Sequence, residues 1–88
     1  MLRAILDAVD FRDARILEVG AGDGRLTFEY AAEPGSVVGI DTKELDIRTA
    51  SQRQGVELRG DVQFVCASAT ALPFSVERFS IVLLASSL

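Results

Sequence analysis

Apolar positions along the chain fall into two kinds of run. Leu2, Ile5, Leu6 and Val9 recur at i, i+3, i+4 and i+7, with Arg3, Asp7 and Asp10 off that face. This period predicts a helix over 2–10 with one face packed inward. Four other segments are short apolar runs with β-branched residues, at 15–19, 36–41, 61–66 and 79–85. Runs of this length without alternation suit strands buried on both faces of a parallel sheet. The stretches between them are predicted helices. One covers 23–32, with Asp23 as its N-cap and Pro34-Gly35 as its stop. The other covers 43–53 and is weakly amphipathic, turning inward either Leu45, Thr49 and Gln52 or Ile47 and Ala50, with Gly55 as its terminus. Strands alternating with helices predict an α/β domain with a parallel sheet.

The chain is organised around Arg15 to Leu26, where the first strand breaks into Gly20-Ala21-Gly22-Asp23-Gly24 before the first helix. Strand, glycine turn and helix is the build of a nucleotide-binding loop. Glycines permit a sharp turn and a close backbone approach, and the helix that follows offers free N–H groups to anionic ligand atoms. The bland alternative is that the glycines only make a tight turn. Gly-x-Gly-x-Gly is not the G-x-G-x-x-G of dinucleotide-binding domains, which disfavours NAD, and the Lys-Ser/Thr of a P-loop is absent. Asp41 ends the second strand about twenty residues after the first glycine, the spacing at which an acid meets a ribose diol. Its two oxygens match two vicinal hydroxyls. The alternative is that Asp41 caps the helix after it.

Composition adds exclusions. Eighty-eight residues suit one domain. The net charge of −4, without a basic cluster, removes the electrostatic footprint of a nucleic-acid binder. The longest apolar run, Ile81 to Ala85, is too short to span a bilayer, and the start lacks the h-region of a signal peptide, so a cytoplasmic location is expected. Cys66, the only cysteine, has apolar neighbours and reads as a buried structural thiol. There is no histidine and no metal-ligand spacing.

Glu18-x-Gly20-x-Gly22-x-Gly24 resembles motif I of class I S-adenosylmethionine (SAM)-dependent methyltransferases. Ser68-Ala69-Thr70-Ala71-Leu72-Pro73-Phe74 followed by Phe79-Ser80-Ile81-Val82 is similar to the methyltransferase type 11 domain, whose pattern is Asp-Ala-x-x-Leu-Pro-Phe and then Phe-Asp-x-Val. The resemblance covers residues 15 to 88. It implies a Rossmann-like fold, here with four parallel strands in order 3-2-1-4, and SAM as cofactor. It also implies site roles. Glu18 orders the loop and helps the methionine amino group. The backbone of Gly20, Ala21, Gly22 and Gly24 hugs the methionine part, and Asp41 holds the ribose. Thr42 and Leu72 flank the adenine, ordinary packing being the alternative for both. Ser68 and the Ala69 N–H meet the adenine edge. Ser68 and Ser80 replace the usual aspartates, so the adenine contact is expected to lack a charge. Methyl transfer depends mainly on positioning, so no catalytic acid or base is assigned.

The family sheet has seven strands. Residues 1–88 therefore read as one partial domain, without the carboxyl-terminal strands and substrate region. The expected activity is methyl transfer to a small-molecule acceptor. A non-catalytic, partner-binding module is the alternative. Right-handed crossovers put the helices on one sheet face. The other face and the strand at 79–85 are thus expected to lie bare and to promote self-association.

Overall fold

The computed structural model of the chain describes residues 10–31, 34–57 and 61–85. The helix expected over 2–10 lies almost wholly outside these residues. The described elements are β1 (Arg15–Val19), α1 (Thr27–Tyr30), β2 (Ser36–Asp41), α2 (Glu44–Glu57), β3 (Asp61–Cys66), a 3-10 turn at Val76–Arg78 and β4 (Ile81–Leu84). The four strands form one parallel sheet in order β3-β2-β1-β4, as the resemblance implied.

Strand alternation sorts the apolar residues onto two faces. One face carries Ile16, Val37 and Val62, packed with Phe11, Ala14, Leu26, Tyr30 and Ala31. Both helices use this face. Phe28 of α1 sits 6.1 Å from Phe64 of β3, and Arg53 of α2 lies 4.4 Å over the Phe28 ring. Gly39 lets Phe64 lie across the sheet, since a Cβ there would stand 2.9 Å from the Phe64 ring and 3.0 Å from Ala21 Cβ.

The opposite face is not bare, contrary to expectation. Leu17, Val38 and Ile40 are buried on it, with Leu72, Phe74 and Phe79 packed against them. The segment between β3 and β4 folds back over the sheet, and Phe74 and Phe79 meet edge to face at 5.4 Å. Exposure persists at β4, one of the two edge strands among the described residues, where Val82 and Leu84 are 50% and 58% exposed.

Helix boundaries also depart from the sequence reading. The first helix is a single turn, and Asp23 does not cap it. Leu26 holds the N-cap position without a side-chain hydrogen bond. Gly24, at φ +91°, keeps the backbone off the helical path just after Asp23. The second helix runs through Gly55 instead of stopping there, a tolerated helix-interior glycine that costs roughly 0.5–1 kcal/mol relative to alanine. Among its described side chains Ile47 and Ala50 are the buried ones, whereas Leu45, Thr49 and Gln52 are exposed. The fourth strand begins at Ile81 rather than Phe79, because Phe79 turns onto the second core cluster and Ser80 is tied to β1. Cys66 is exposed, not buried. It ends edge strand β3, where its thiol donates to the Thr42 carbonyl at 3.6 Å. No helix among the described residues is long and apolar enough to cross a membrane.

Candidate functional site

The site forms where β1 and β2 end side by side. The amides of Gly20 and Ala21 both donate to the Ile40 carbonyl at 2.9 Å, which hooks the glycine loop over the end of β2. Asp41, the next residue, clamps the loop with its side chain. One oxygen accepts from the Gly22 amide and the other from the Lys43 amide, each at 2.9 Å. The two readings of Asp41 are therefore not exclusive. Oδ1 caps the start of the α2 segment, Oδ2 fixes the loop, and each oxygen keeps a second lone pair for a ligand donor. Gly22 adopts φ +56°, and a Cβ built there would lie 4.0 Å from Asp41 Oδ2, so the bare backbone leaves an approach to the carboxylate.

Two clefts flank the loop, and Gly20 lines both. The first, of 290 Å³, lies between Val19, Ile40, Asp41, Thr42, Lys43, Ala67 and Ala69. It joins apolar walls to one carboxylate, the kind of lining that suits a nucleoside. The second, of 340 Å³, is bounded by Ala21, Gly22, Asp23, Arg25, Leu26, Asp46 and Ala85. Both open at the carboxyl ends of the strands, where ligands bind in open parallel sheets.

Of the ten residues expected to form a site, six line these clefts: Gly20, Ala21, Gly22, Asp41, Thr42 and Ala69. The other four take supporting positions. Gly24 abuts the Phe28 ring, where a Cβ would come within 2.6 Å of Phe28 Cε2. Leu72 packs on the Leu17–Val38–Ile40 cluster. Ser68 closes a local turn, its Oγ lying 2.8 Å from Thr70 Oγ1 and accepting from the Thr70 amide at 3.2 Å. Glu18 is fully buried on the α1 side of the sheet. Its Oε1 accepts from the Thr27 hydroxyl at 2.9 Å and from the Tyr30 hydroxyl at 2.6 Å. Burial pushes the Glu18 carboxyl above its ordinary value, partly offset by those two bonds. Burial and the adjacent carboxylate raise the Tyr30 phenol, which keeps it a donor.

Sequence reasoning missed Lys43, Ala67 and Asp46. Lys43 and Ala67 follow the last residues of β2 and β3, so the topological rule that selected Asp41 reaches them too. Asp46 gave no such signal, because its place in the second cleft depends on how α2 leans against the loop.

The geometry agrees with comparisons to known proteins. Residues 16–88 match the family model described as a methyltransferase domain. The chain is 35% identical over 81 residues to a demethylmenaquinone methyltransferase from Renibacterium salmoninarum, covering 91% of this chain and 32% of the relative. Among solved structures, the YcgJ protein from Bacillus subtilis superposes with a TM-score of 0.77 at 28% identity, over 92% of this chain and 35% of that one. Phosphoethanolamine N-methyltransferase 1 from Haemonchus contortus, solved with phosphoethanolamine and S-adenosylhomocysteine, shares the fold with a TM-score of 0.79 at 22% identity, over 92% of this chain and 17% of that one. The chain spans about a third of the length of the curated relatives it matches.

Proposed function

Because the chain belongs to the methyltransferase domain family, we propose that it is the SAM-binding part of an enzyme that transfers a methyl group to a small molecule. The observation that carries this reading is the Asp41 clamp, which holds a carboxylate and the glycine loop together between two clefts. The residues fit the cofactor. Asp41 has lone pairs free for the ribose hydroxyls. Thr42 and Ala69 border the first cleft, where the adenosine goes, and Ser68 and Leu72 support the loop behind it. The Gly20-Ala21-Gly22 backbone borders the second cleft, where the methionine part goes. Gly24 lets the loop pack on Phe28. Glu18 carries a buried oxygen with no partner among the described residues, as a site for a cationic donor requires.

SAM supplies an electrophilic methyl group on a sulfonium. The chain's own residues bind and orient, and positioning can provide much of the rate enhancement. A small-molecule acceptor is supported by the names of the relatives, which act on demethylmenaquinone and phosphoethanolamine. Val82 and Leu84, exposed on β4, support a second reading in which the module also binds a partner through that edge.

Calorimetry with SAM, S-adenosylhomocysteine and NAD tests the proposal. Binding of the first two in preference to NAD is expected, and tighter NAD binding overturns it. In the same titration Asp41→Ala should weaken SAM by about tenfold or more, the cost of a charge-assisted hydrogen bond. Glu44→Ala should leave it unchanged, since Glu44 is exposed, lines neither cleft and is paired with Arg48. Asp46 is unsuitable as that control because it lines the second cleft.

A further inference from the structure

The Glu18 carboxyl is a buried acid whose hydrogen bonds are half complete. Both hydroxyls that reach it, from Thr27 and Tyr30, donate to the same oxygen, at 2.9 and 2.6 Å. The other oxygen is buried and has no partner among the described residues. Glu18 and Thr27 are 0% exposed and Tyr30 is 3% exposed, so bulk water does not supply the missing donor. The neighbours of Glu18 in the sheet register, Gly39 and Leu83, bring no side-chain donor either. An unpaired buried carboxylate oxygen is costly, and native proteins leave few of them.

The two hydroxyls do more than pack. Each favours the ionised acid, because each donates to it. Together they fix the rotamer of the carboxyl by saturating one oxygen. The Tyr30 ring is itself held, stacked on Phe11 at 4.9 Å. Glu18 stands two residues before Gly20, which lines both clefts. The second oxygen is thus left unpaired on the residue two before the glycine loop begins.

We propose that Tyr30 and Thr27 are positioning residues for cofactor binding, holding Glu18 so that its free oxygen takes the ammonium of the cofactor, directly or through one bound water. This rests on the SAM reading above. It adds two residues of α1 to the binding machinery although neither touches a cleft.

Two ligands separate this role from plain support of the fold. S-adenosylhomocysteine carries the ammonium, whereas 5′-methylthioadenosine keeps the adenosine and thioether and lacks it. With the full chain, Tyr30→Phe should weaken S-adenosylhomocysteine by about tenfold and leave methylthioadenosine within about twofold. Thr27→Val, which keeps the side-chain shape, should show the same split, and Thr27→Ser should restore binding. If Tyr30→Phe does not fold, the Val and Ser pair at Thr27 carries the same comparison. Equal weakening of both ligands, or none for either, overturns the positioning role while leaving the SAM reading intact. Failure of the unsubstituted chain to bind either ligand overturns both.

Discussion

At the scale of single residues, the candidate site is built from groups that also hold the fold together. Glu18 is the clearest case, because its burial has a consequence for stability. The folded chain holds the Glu18 proton more tightly than the unfolded chain, whose carboxyl titrates near 4.5. A raised acid contributes stability that is complete below that value and is lost as pH rises through its folded value. Glu18→Gln removes the titration while keeping an acceptor for Tyr30 and Thr27. The melting temperature of the variant, relative to the parent chain, should therefore climb as pH is raised through that window. A difference that stays constant with pH would show that burial does not dominate the carboxyl. The acidic identity of Glu18 was legible in the motif, but its partners were not. Thr27 and Tyr30 lie nine and twelve residues away, and only the early end of the glycine turn brings them beneath the strand.

At the scale of elements, strands were more legible than helices. Each strand is a short segment rich in apolar and β-branched residues, and the two central strands, β1 and β2, are buried on both faces, which writes that pattern directly into the sequence. The glycine loop and Asp41 were legible for the same reason, since each follows the end of such a run. Helix α2 was not. Among its described side chains Ile47 and Ala50 turn inward, at 7% and 0% exposure, and two residues in a polar stretch leave no clear stripe. Leu45, from one of the two sets of inward residues the sequence offered, is 74% exposed. The helix therefore depends on a small contact at Ala50, close against the sheet. Ala50→Leu should destabilise the chain by about 1–3 kcal/mol through overpacking, whereas Leu45→Ala should change stability by less than about 0.5 kcal/mol, as surface substitutions do. Chemical denaturation of the two variants checks the ordering. The loop from Ala67 to Phe79 was read for ligand contact, with packing as the alternative for Leu72. Leu72 and Phe74 pack on the second sheet face, a cover that the strand pattern alone did not suggest.

At the scale of the whole molecule, two of the exposed large apolar side chains, Val82 and Leu84, stand together on one strand, apart from Leu45 and Val76. Val82 and Leu84 point outward from β4, the final strand of the sheet among the described residues. Light scattering of the chain should show mass rising with concentration, and Val82→Lys with Leu84→Lys should suppress that rise, since charges blunt an edge strand. Mass independent of concentration in the parent chain overturns this expectation. The same strand is fastened at its start by Ser80. The Arg15 amide donates to the Ser80 hydroxyl at 2.9 Å, and the Ser80 amide donates to the Arg15 carbonyl at 2.8 Å, across 65 residues of sequence. Serine can do here what the family's aspartate cannot, because its hydroxyl also donates back to the Arg15 carbonyl at 3.3 Å. That clasp closes the longest loop in the sheet, so its entropy must be met before β4 gains anything from pairing. Strand β4 should accordingly be the last to join during folding and the first to leave. Ser80→Ala should quicken unfolding and barely alter the folding rate, as expected for contacts made after the transition state. Stopped-flow kinetics showing slower folding instead would place the clasp in the nucleus. On this account the serine at position 80 acts as a latch whose strength is read in how long the fourth strand stays paired.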